Sequence, residues 1–257
     1  MSLPQLGRKP RSFNPSIPHL SAHLATRALS APPASVDWTQ GLPSDLGAML
    51  NNKLNDCSCA AFYHALQVWS FTATGGTLDT EPDSNVQALY SAVSGYKPSD
   101  PAPGPACDEQ AVLTYLAQTG APVGADGAGR NKLAAFFEID CRNLGDVKRT
   151  IAEFGVAYIG IGMPAYIHTD PMPQVWDVET RNDKVIGGHA VILAGYDAQG
   201  AKLISGGKIY TMTWGFFSKY TDEAYALADE AWINAKGVTP GGLTLDALKQ
   251  QMRGLKG

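Results

Sequence analysis

DCSCAAFYHA (56–65) and GGHAVILAGYD (187–197) are the two stretches on which the fold turns. In the first, Asp56 stands where a helix cap belongs and Cys57 opens the helix. Ala60, Ala61, His64, Ala65, Val68 and Trp69 recur at three- and four-residue spacing, which predicts a helix with a buried stripe over 57–73. Free amides and the positive end of the helix dipole stabilise a thiolate at such a start. The competing reading is that Cys57 is a small buried hydrophobe, a common fate of a free cysteine. In the second stretch His189 opens an apolar run, behind two glycines that leave open backbone beside its ring.

A nucleophilic thiol needs a base, most often histidine. His19 and His23 fall in a proline-rich arm, and His168 falls in a polar loop. His64 is two helical turns beyond Cys57, roughly 10 Å of rise, and cannot reach it. His189 remains. Cys59 is the alternative nucleophile, but it lies deeper in the helix, and Cys57 is preferred.

Working outward, further helices are predicted over 84–96, 109–120 and 144–155, the last capped by Asn143. Strands are predicted over 156–164, 189–197, 201–207 and 208–214, with a turn at Asp197–Gly200. Helices first and strands later imply an α+β fold, a helical lobe with the cysteine packed on an antiparallel sheet lobe with the histidine. Asp222 and Glu223 read as a solvated helix face, and Trp214, Phe216, Phe217 and Tyr220 as core. LTLDALKQQM (243–252) reads as a short surface helix.

Residues 1–35 carry Pro4, Pro10, Pro15, Pro18, Pro32 and Pro33, which exclude long helices. The expected organisation is an extended N-terminal arm over 1–35 and one globular domain over 36–257. Phe13, Ile17, Leu20 and Leu24 point to an arm that docks, on the domain or on another copy through self-association, and the competing reading is a solvated tail.

Hydrophobic residues make up 44% of the chain and charged residues 17%, which supports a full core and argues against global disorder. A net charge of −4 argues against nucleic acid as a partner. No apolar run approaches a membrane span, and the first twenty residues lack the apolar core of a secretory signal. The four cysteines are read as reduced thiols, with a cytoplasmic location expected and a phage particle as the alternative. Cys57, Cys59 and His64 lack the second ligand pair that zinc requires, so no metal is expected, and no cofactor motif is present.

Together the cysteine and histidine blocks resemble the papain-like cysteine peptidases. LGDVKRTIAEFGVAYIGIGMP (144–164) is similar to the helix and strand that precede the histidine in that family, and VDWTQGLPSDL (36–46) to the start of its domain. The Asp-Cys-Ser start also resembles bacterial cell-wall cysteine peptidases. TWGFFSKYTDEAYA (213–226), with Asn52 four residues before Asp56, is similar to uncharacterised bacterial and phage proteins. The resemblance implies a thiol hydrolase of peptide or amide bonds, with Cys57 and His189 as its dyad and a peptide or protein as substrate.

Two departures from the family stand out. The position sixteen residues after His189, where the family orients its histidine with asparagine or aspartate, is Ser205. A serine can accept from imidazole but cannot stabilise imidazolium as a carboxylate would. The family's oxyanion glutamine, six residues before the cysteine, is matched by Asn51, with Asn52 beside it. The missing Asn/Asp partner keeps open an inactive papain-like scaffold with a binding or phage-assembly role. Acyl transfer through the same dyad also stays open.

Overall fold

Small residues decide how closely the first long helix can approach the sheet. In the computed structural model, which describes residues 3–24 and 31–230 together with positions 232, 244 and 246, the short α1 (Leu20–Leu24) and β1 (Val36–Asp37) precede α2 (Cys57–Thr74). α2 is buried all around its first three turns, where Ala60, Ala61 and Ala65 let it lie close to its neighbours. It stops at Gly75, whose left-handed φ of 73° would strain a side-chain-bearing residue and whose N–H bonds Phe71 O.

α3 (Asp83–Ser94) and α4 (Glu109–Gln118) complete the helical lobe. A small ribbon of β2 (Ala121–Val123) and β3 (Gly129–Asn131) follows. Next come β4 (Leu133–Glu138), α5 (Leu144–Phe154), β5 (Ala157–Pro164) and β6 (Val175–Trp176). The chain then runs through β7 (Val185–Tyr196), β8 (Gly200–Ser205), β9 (Lys208–Thr213), α6 (Trp214–Tyr220) and β10 (Thr221–Asp229).

One sheet has the order β4-β10-β5-β7-β8-β9-β6, with β1 added on β7. All its pairs are antiparallel except β6 with β9. The architecture is α+β, with α2 packed along β7, the strand that carries His189. Polar ties lock the two lobes. Trp69 Nε1 donates to Phe154 O at 2.7 Å, and Tyr158 Oη donates to Ser58 O at 2.9 Å beside the start of α2.

The predicted helices and the four predicted strands are present with shifted ends, and Asn143 caps α5 through Gly145 and Asp146. The Asp197 turn forms, with its carboxylate accepting from Gln199 and Gly200 N–H. Other expectations are corrected. Asp56 makes no side-chain cap; its carboxyl is buried and accepts from Asn51 Nδ2 at 3.3 Å. Asp222 and Glu223 lie on β10, which is flanked by β4 and β5, and Glu223 is buried. Trp214 is half-buried under the Lys148 ammonium, whereas Phe216, Phe217 and Tyr220 are core. Ile17 and Leu20 are buried, but Phe13 is 72% exposed. Of the helix expected over 243–252, all but positions 244 and 246 lie outside the described residues.

Among the described residues no helix is long and apolar enough to cross a membrane. No group of three or more His, Cys, Asp or Glu side chains among them is placed to hold a metal ion.

Candidate active site

Cys57 enters α2 with its thiol against backbone from two directions. The backbone of Ala190, the residue after His189, and that of Gly7 in the N-terminal segment lie against it and favour the thiolate. Burial still pushes the thiol up to about 12, so the covered sulfur is a neutral thiol and not the thiolate expected of an open helix start. Cys59 lies in the interior near Cys107, and burial raises it well above the ordinary range. Of the two thiols, Cys57 is the one set beside β7 and the N-terminal segment.

His189 pairs with Ile161 of β5 in the sheet register, and its ring is buried. Nε2 lies 2.9 Å from Ser205 Oγ on the adjacent β8, so the sixteen-residue count reaches across the hairpin. Burial pushes the imidazole down to about 3, and it is neutral. A neutral ring and a serine hydroxyl pair at Nε2 without charge, while Nδ1 is buried with no hydrogen-bond partner among the described residues. Asn51 Nδ2 donates to Gln5 O at 3.2 Å as well as to Leu54 O and Asp56, so its amide faces the N-terminal segment. Asn52 is half-buried and its side chain makes no hydrogen bond among the described residues. His64 bonds Gln67 on its own helix, and His168 Nε2 lies 2.8 Å from Pro4 O.

The groove past these residues is filled by residues 4–9 of the chain itself. Gln5 N–H donates to Asn51 O at 2.6 Å, Arg8 N–H to Gly188 O at 3.1 Å and Lys9 N–H to Cys107 O at 2.8 Å. Cys107 N–H returns a bond to Gly7 O at 2.8 Å. Glycines make the space: a Cβ at Gly7 would overlap the Asn55 carbonyl, one at Gly188 the Arg8 carbonyl, and one at Gly187 would stand 2.9 Å from Leu6 Cβ. The Gly7 backbone favours the thiolate, as a nearby N–H would, while the Gly7 carbonyl accepts from Cys107 N–H.

Sequence reasoning missed Arg8, Glu109 and Glu223. Arg8 reaches past Gly7 to Asp222 at 2.7 Å and to Glu223, with Glu109 beside them. One signal could have found the strand. Glu223, Tyr225 and Leu227 alternate with Ala224, Ala226 and Ala228, a period of two.

This arrangement is the papain-like cysteine peptidase fold. Xylellain, a cysteine protease from Xylella fastidiosa, superposes with a TM-score of 0.67 at 13% identity, covering 88% of this chain and 97% of that one. Procathepsin B S9 from Trypanosoma congolense gives 0.60 at 10% identity over 88% and 87% of the two chains. Digestive procathepsin L 3 from Tenebrio molitor larval midgut gives 0.55 at 15% identity over 88% and 75%. No protein-family model matches the sequence, and no curated protein matches it. At these identities the likeness is one of fold.

Proposed function

We propose that the protein is a thiol hydrolase of peptide or amide bonds, held in a covered state by its N-terminal segment. The observation that carries this reading is the groove. It runs past Cys57 and His189 and already holds extended peptide by backbone hydrogen bonds. With the segment withdrawn, His189 takes the Cys57 proton and the thiolate attacks a substrate carbonyl. Asn51 Nδ2, freed from Gln5 O, and the Cys57 N–H hold the oxyanion, with Asn52 as the neighbouring donor. The amine leaves with the proton from His189, and water then releases the acyl-enzyme.

A second reading, a scaffold that binds without cleaving, is favoured by one observation. Ser205 stands where a carboxamide or carboxylate would hold an imidazolium. Alkylation with iodoacetamide, mapped by mass spectrometry, and hydrolysis of denatured casein separate the two when applied to the full chain carrying Gly7→Ala, whose Cβ would overlap the Asn55 carbonyl and lift the segment. The hydrolase reading expects Cys57 to be labelled before Cys59 and casein to be cut, with both lost in Cys57→Ala. Labelling at Cys59 first would move the nucleophile, and a chain that labels at neither and cuts nothing leaves the scaffold.

A further inference from the structure

The Arg8 side chain enters a slot floored by Gly160. A Cβ there would lie 2.7 Å from Glu109 Oε2, 2.7 Å from Glu223 Cγ and 2.8 Å from Arg8 Nη1, so only a glycine leaves room for a guanidinium. Side chains of Arg8 and Glu223 are each 2% exposed, while Asp222, at 48%, marks the solvent side. Glu223 is held from behind: Tyr225 Oη donates to its Oε2 at 2.7 Å, and Gln110 Nε2 donates to Tyr225 Oη at 3.0 Å. Both Glu109 oxygens are buried without a hydrogen-bond partner.

The cation comes from a segment that occupies the groove, and its backbone is fixed one residue from the Cys57 contact. When that segment leaves, Glu223 remains buried without its ion-pair partner, and Arg11, whose charge is felt at Glu223, is itself paired with Glu138. Leaving the buried Glu223 uncompensated is costly, and a planar fork of donors matches the Glu223 and Asp222 carboxylates better than an ammonium does, while Glu109, pushed well above the ordinary carboxyl range by burial and by Glu223, is a neutral acid.

We propose that this slot is the substrate-recognition pocket of the enzyme and takes an arginine side chain, lysine less well, from a peptide lying in the groove, Arg8 being its resident stand-in. Glu223 and Asp222 bind the guanidinium, and Glu109 closes the inner end. The inference rests on the hydrolase reading for the word substrate, but the pocket itself is tested without chemistry.

The full chain with Gly7→Ala and Arg8→Ala lifts the segment and vacates the slot; if that variant does not fold, Gly7→Ala with Arg8→Gln lifts it without the competing charge. Calorimetry with the capped peptide Pro-Gln-Leu-Gly-Arg-Lys and its norleucine-for-arginine analogue reads the pocket. The arginine peptide is expected to bind at least about tenfold tighter, as one charge-assisted hydrogen bond implies. The preference is expected to vanish on adding Glu223→Gln. Equal affinity for the two peptides overturns the pocket. Cleavage positions in denatured casein read the substrate class. Arginine or lysine at one fixed place beside the cut supports it, and apolar or random residues there overturn it. Arginine-selective binding with no cleavage overturns the hydrolase reading and leaves an arginine-binding groove.

Discussion

Gly7→Ala uncovers the site by a steric route that leaves Cys57 and His189 untouched. The added Cβ would overlap the carbonyl oxygen, carbonyl carbon and Cα of Asn55. Asn55 cannot retreat easily, because its N–H is bonded to Pro103 O and its Nδ2 to Gly104 O, each at 2.7 Å. The segment must lift instead, and lifting it breaks the Gln5, Arg8, Lys9 and Cys107 backbone bonds described above. At about 1 kcal/mol net for each of these four bonds, the covered state loses about 4 kcal/mol. Every 1.4 kcal/mol is tenfold, so the uncovered population rises by up to about a thousandfold. The assay is the rate of Cys57 alkylation by iodoacetamide at neutral pH, with circular dichroism to confirm the fold. A rise of at least about tenfold is expected, since an opening-limited rate reports the open population. A folded Gly7→Ala chain that labels at the wild-type rate would refute the idea that the segment guards the thiol.

Three further outcomes are expected. Ser205→Ala removes one hydrogen bond from the buried His189 ring, about 1 kcal/mol, and should slow Cys57 acylation roughly fivefold while the fold is kept; an unchanged rate means that another group orients the ring. His189 and His64 are held neutral by burial, down to about 3 and about 4 from 6.5, so the unfolded chain takes up protons first on acidification. Their contribution is present above about pH 6.5 and lost as pH falls from there toward 3, so the urea midpoint should drop across that window, and a flat profile between pH 7 and 4 would contradict it. Asn143→Ala removes the cap from Gly145 and Asp146 at the start of α5 and should cost about 1 kcal/mol in urea unfolding, with Asn143→Asp restoring most of it.

Much of the fold was legible along the chain because periodicity is local. α2, α5, β5 and the β8–β9 hairpin announce themselves through spacing, caps and the Asp197 turn. β10 escaped because Asp222 and Glu223 look like surface charge when their partner is out of view. That partner, Arg8, stands more than two hundred residues away. The Asp56 cap failed for a related reason: at 0% exposure its carboxyl turns to Asn51 instead of to its own helix.

By itself the sequence determined the two blocks, the helix that begins at Cys57, the strand that carries His189, and the interval that lands on Ser205. Those follow from side-chain period and backbone preference, which act over a few residues. Only the tertiary structure decided what lies between them. That residues 4–9 fill the groove, that Gly7 meets the sulfur, and that Arg8 neutralises Glu223 depend on strands and a terminal segment meeting in space. Charge and burial are set by neighbours distant in sequence, and a thiol that reads as activated at a helix start is a covered, neutral one when those neighbours close over it.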